Sequence, residues 1–96
     1  MSMAIIIKFI GALRNLSGKP QLAVNCKEGM LLKELISQIN QQTPQLEKSI
    51  VDQEGKGSTL NALILVNGKE ISVLKGLETR LNDGDEIVFV PVVHGG

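Results

Sequence analysis

The chain has 96 residues, enough for one small hydrophobic core and no second. Ten Lys and Arg balance ten Asp and Glu, and only Phe9 and Phe89 are aromatic; direct nucleic-acid binding is not expected, since phosphate contacts need a cationic surplus and base stacking needs aromatic platforms. The single Cys26 excludes an internal disulfide and a cysteine zinc centre, and no apolar run approaches the ~20 residues of a membrane span.

Residues 4–10 are rich in β-branched side chains and alternate Ile5, Ile7 and Phe9 against Ile6, Lys8 and Ile10. This predicts a central strand, apolar on both faces, that Gly11 ends. Ala12 to Lys19 reads as a connection with one helical turn at Leu13 and Arg14, closed by Ser17-Gly18 and Pro20. Leu22, Val24 and Cys26 then alternate with Gln21, Ala23 and Asn25, giving an edge strand with one apolar face. That parity points Cys26 into the core, where it acts as a small hydrophobe and not as a nucleophile. From Met30 the period changes. Leu32, Leu35, Ile36 and Ile39 fall at i, i+3, i+4 and i+7, the stripe of an amphipathic helix, with Gly29 near its cap and Pro44 as its stop. Leu46 and Ile50 are expected to dock a short turn.

Residues 52–59 are polar, contain two glycines and are expected to form a mobile loop. Its Gly55-Lys56-Gly57-Ser58 lacks the glycine spacing of a phosphate-binding loop. Leu63 to Val66 form a third strand, Asn67-Gly68 predicts a type I′ hairpin turn, and a short fourth strand is placed at Glu70 to Val73. Leu77 and Leu81 anchor the connection to Asn82-Asp83-Gly84-Asp85, where both carboxylates are expected to hold a turn and not to perform acid–base chemistry. Glu86 to Val90 is apolar on both faces like the first strand, and Pro91 ends its pairing. A right-handed crossover brings first and last strands together. The expected fold is therefore α+β: a β-grasp (ubiquitin-like) mixed sheet of four to five strands, with parallel central first and last strands and one main helix across one face. Residues 1–90 form the domain and residues 91–96 a flexible tail that, extended, reaches about 20 Å. The N-terminus lacks the basic region of a signal peptide, and a cytoplasmic location is expected.

One His and one Cys cannot furnish a zinc site within one chain, and no metal is expected. A free-standing enzyme would need catalytic pairs that this chain does not present. The end of the sequence is different: Val93-His94-Gly95-Gly96 offers an α-carboxylate on a stem without Cβ atoms, able to thread a narrow channel. A carboxylate is a poor acyl donor until its oxygen joins a leaving group such as adenylate, and with no ATP motif in the chain a partner must perform that step. If Ile87 and Phe89 join Ile5, Ile7 and Phe9 under the helix, then Ile6, Ile10, Val88 and Val90 lie on the open face with Lys8. They form a candidate docking patch beside the tail.

The run from Asn82 to Pro91 followed by Val92-Val93-His94-Gly95-Gly96, together with Val66-Asn67-Gly68, residues 74–79 and Phe9 with Leu13-Arg14, strongly resembles the ubiquitin-like sulfur carriers. These include the small subunit of molybdopterin synthase, the thiazole-pathway carrier, the ubiquitin-related modifier and the small archaeal modifiers. Leu31 departs from the Thr that often opens the family's helix, and His94 resembles the ubiquitin-related modifier more than the molybdopterin-synthase type. The resemblance implies that the chain is no enzyme and binds no cofactor itself. A ubiquitin-activating-type enzyme would adenylate Gly96 with ATP and magnesium, and a persulfide donor would convert it to a thiocarboxylate. Gly95, His94 and Val93 would serve tail recognition. Two destinations follow: the large subunit of molybdopterin synthase, with this chain as the small subunit, or capture of Gly96 by lysines of target proteins, with tRNA thiolation as a further use of the sulfur.

Overall fold

The structure, a computed structural model, describes residues 2–46, 51–52, 59–60 and 62–92. Alternation in the first segment produces strand β1 (Ser2–Phe9), followed by helix α1 (Ala12–Ser17), β2 (Gln21–Lys27) and helix α2 (Leu32–Gln42). Two two-residue strands follow, β3 (Val51–Asp52) and β4 (Thr59–Leu60), paired with each other. Then come β5 (Ala62–Val66), β6 (Lys69–Glu70) and β7 (Glu86–Pro91). The main sheet has the order β2-β1-β7-β5-β6. β1 is antiparallel to β2 and parallel to β7, with Ile7 opposite Ile87 and Phe9 opposite Phe89. A hairpin, a crossing helix and a parallel central pair made of the first and last strands give the expected β-grasp.

The parity read from Lys8 holds. Ile5, Ile7, Phe9, Ile87 and Phe89 are almost wholly buried, and they share one hydrophobic cluster with Leu32, Leu35, Ile36 and Ile39 of α2. The Phe9 and Phe89 rings stack with centroids 5.8 Å apart, a contact worth about 1 kcal/mol beyond the area it buries. Leu46, in a 3₁₀ turn at Pro44–Leu46, closes the core below α2. Cys26 is buried as predicted, while Ile50 and residues 53–58 of the expected loop lie outside the described residues.

Three local expectations are corrected. The connection after Gly11 is a six-residue helix and not one turn: Leu13 is buried, and Gly18 in the left-handed region returns its N–H to Arg14 O. Helix α2 is not capped by Gly29, which instead turns the chain after β2 with φ 84°. Its N-cap is Leu31, whose side chain has no acceptor; Glu34 Oε1 receives Leu31 N–H at 2.9 Å, and Thr79 O receives Leu32 N–H at 2.8 Å. The helix's own Glu34 and a tertiary strap from Thr79 thus satisfy N–H donors at its start. The fourth strand stops at Glu70 because its carboxylate accepts from both Ser72 N and Ser72 Oγ, at 2.6 and 2.7 Å. This bends Ile71–Val73 into a 3₁₀ turn. The Asn67-Gly68 turn has φ of 51° and 84°, the two positive values that a type I′ turn needs.

Candidate functional site

The face of the sheet opposite α2 carries the even positions of β1 and β7. Ile6, Val88 and Val90 are half-buried there, and Ile10 is exposed just past the end of β1. The register brings them together: Lys8 stands opposite Val88 on one side, and β5 puts Leu65 opposite Val88 and Leu63 opposite Val90 on the other. Sequence alone does not assign Leu63 and Leu65 to this face, because β5 is apolar on both faces and its parity cannot be read alone. Pairing with β7 supplies the missing signal: Ala62, Ile64 and Val66 are buried, so Leu63 and Leu65 turn outward. The result is an aliphatic strip across three adjacent strands, with Leu63 41 % exposed. Lys8 Nζ and Glu86 Oε2 lie 3.1 Å apart across the β1–β7 seam. This solvated pair contributes at most about 1 kcal/mol and sets one charged spot within the apolar strip.

β7 owes its position to the preceding turn. Asp83 Oδ1 accepts from Ala4 N at 2.7 Å, and Gly84 N–H donates to Ala4 O at 2.8 Å. Asp85 accepts from Asn82 N at 2.7 Å and from Asn67 Nδ2 at 2.8 Å. Both aspartates are thus committed to holding the turn, as their spacing predicts. At its far end β7 places Pro91 opposite Ala62, and Val92 follows, exposed. The tail residues assigned to recognition and activation, Val93, His94, Gly95 and Gly96, lie outside the described residues.

Cys26, the one thiol, is 3 % exposed, and burial pushes its pKa up. It therefore has little thiolate to offer as a nucleophile or sulfur acceptor. An open groove of about 400 Å³ lies at the start of β1, lined by Met3, Glu28, Arg80 and Asp83 among others, away from the aliphatic strip. Among the described residues no helix is long and apolar enough to cross a membrane.

A β-grasp domain with an aliphatic open face and its first and last strands parallel at the centre of the sheet has the fold expected of the ubiquitin-like sulfur carriers. Comparison with known proteins places the chain within them: the model of the ThiS family matches residues 7–96, and the chain belongs to that family. A protein of Archaeoglobus fulgidus provisionally named a sulfur carrier is 35 % identical over 69 residues, 72 % of this chain and 77 % of the relative. Among solved structures, small archaeal modifier protein 1 of Methanosarcina acetivorans superposes with a TM-score of 0.80 at 30 % identity, covering 100 % of this chain and 99 % of the other. A Pyrococcus furiosus protein provisionally named molybdopterin converting factor subunit 1 superposes with a TM-score of 0.76 at 21 % identity, over 95 % and 99 % of the two chains. This last likeness is one of fold.

Proposed function

We propose that this sulfur carrier works through the carboxylate of Gly96. A ubiquitin-activating-type enzyme joins that carboxylate to AMP from magnesium-bound ATP, releasing pyrophosphate. Sulfur from a persulfide donor then displaces AMP, and reductive cleavage of the resulting acyl disulfide by a thiol leaves a thiocarboxylate. The chain itself contributes no catalytic group. It presents the tail and the face by which partners hold it, and the chemistry proceeds in their active sites in the cytoplasm. The leading destination is molybdopterin synthase, with this chain as the small subunit inserting its tail into the large one.

The observation that carries this reading is the path of β7. Its outward side chains, Val88 and Val90, form the middle of the aliphatic strip, and the same strand ends at Pro91 with four residues left before Gly96. The proposed docking surface thus lies on the strand that precedes the proposed acyl donor in sequence, which favours a partner that grips the first and receives the second. The 30 % identity to a small archaeal modifier protein favours a second reading, in which target lysines capture the activated glycine. Both readings share the adenylation step.

Intact-mass spectrometry of the protein isolated from its native host separates them. A mass raised by replacement of one oxygen by sulfur, localised to Gly96, supports the thiocarboxylate carrier. Isopeptide-linked forms through Gly96 support the modifier. An unchanged carboxylate after incubation with the adenylating enzyme, ATP and magnesium would refute both.

A further inference from the structure

Strand β7 leaves the sheet beside the start of α1. The carbonyls of Asp85 and Phe89 accept from Ile6 N–H and Ile10 N–H, each at 3.0 Å, so the odd-numbered residues of β7 turn their backbone groups toward β1. Residue 91 is therefore the position whose N–H would extend this ladder. Proline has none, and Ile10 O accepts instead from Leu13 N–H in α1, at 3.3 Å. Between them Gly11 adopts φ 60° and ψ −135°, a conformation that glycine adopts and other residues avoid. A Cβ on Gly11 would stand 3.3 Å from Pro91 Cγ and 3.8 Å from Pro91 Cδ. Backbone strain thus calls for glycine at residue 11, and the ring stands closer to it than an ordinary Cβ contact. On its other flank Pro91 is in register with the buried Ala62, and α1 is anchored by the buried Leu13.

We infer that Gly11 and Pro91 form a positioning pair that sets the direction in which the chain leaves the sheet at Val92, an inference that rests on the proposal that an adenylating enzyme acts at Gly96. The ring lies between β5 and the start of α1, and its locked φ removes one soft dihedral at the last paired residue. Less ordering then remains when the tail enters an active site. The aliphatic strip supplies affinity and the pair supplies orientation, so loosening the pair separates the two kinetically.

Pro91→Gly removes the ring and the locked φ while leaving the strip intact. Two readouts apply: ¹⁵N relaxation of the Val92 amide in the free protein, and steady-state pyrophosphate release with the adenylating enzyme of the native host. The expected result is a fall in Val92 order with the amide spectrum of the domain otherwise preserved, a KM for the carrier changed by less than about threefold, and a kcat lowered about tenfold. Unchanged Val92 order overturns the positioning pair, and so does an unchanged kcat once Val92 has loosened. A wild-type chain that is never adenylated overturns the proposed function instead; Val92 order then decides the pair alone.

Discussion

Asn67 Nδ2 donates to Asp85 Oδ1 at 2.8 Å, tying the type I′ turn after β5 to the turn that launches β7. Asn67 Oδ1 also accepts from Glu86 N–H at 2.9 Å, and Asp85 Oδ2 accepts from Asn82 N–H at 2.7 Å. One side chain from each turn thus fixes the register of the strand that carries the tail. Asp85→Ala would leave two donors without this acceptor in a part-buried site. The expected loss is about 2–3 kcal/mol of unfolding free energy, measured by urea denaturation. A loss below about 1 kcal/mol would show that water replaces the carboxylate and that the turn does not depend on it.

Much of this arrangement is legible in the sequence because its signals are local. Lys8 breaks the apolar run of β1 and marks the outward face, the i, i+3, i+4, i+7 stripe fixes the buried side of α2, and Asn67-Gly68 specifies its turn. What escapes is decided by tertiary contacts and by side chains that bond back to their own stretch of backbone. Helix α2 starts without a side-chain cap because Thr79 and Glu34 receive its first donors. The bend after Glu70 depends on a carboxylate folding back two residues. Leu63 and Leu65 become part of the site through pairing with β7, which no property of β5 reveals.

Val88 tests the aliphatic strip. It lies on the open face between Lys8 and Leu65, half-buried and outside the core cluster. Val88→Asp is expected to cost no more than about 1 kcal/mol of stability, the span of strand propensity, and to weaken capture by the adenylating enzyme at least tenfold, about 1.4 kcal/mol. Titration calorimetry against that enzyme, paired with thermal unfolding, reads both. Global unfolding of the variant would place Val88 in the core instead.

Glu70 gives the fold a defined acid response. Two hydrogen bonds from Ser72 hold its carboxyl below the usual carboxylate range. The folded pKa is therefore below the unfolded one, so the stability it adds is fully present above the unfolded value and lost as pH falls through the folded one. Glu70 is solvated, which keeps the contribution small. Urea midpoints followed from pH 7 to below about 4 should decline less steeply in Glu70→Gln than in the wild type. Superimposable curves would assign the acid response to other carboxylates.

Cys26 and Gly96 divide the sulfur chemistry between a site that is closed and one that is proposed to be open. Burial among core side chains pushes the Cys26 thiol up, so at neutral pH the native protein should resist iodoacetamide and react only on unfolding. Sulfur added by the activating system should then appear at Gly96 in the wild type and equally in Cys26→Ala. Deleting Gly96 should abolish adenylation while leaving the urea midpoint unchanged, because the described core ends at Phe89. Peptide mapping of the sulfurated protein tests the assignment directly. Sulfur recovered on Cys26 would make this chain a persulfide carrier and remove the need for an activated carboxylate.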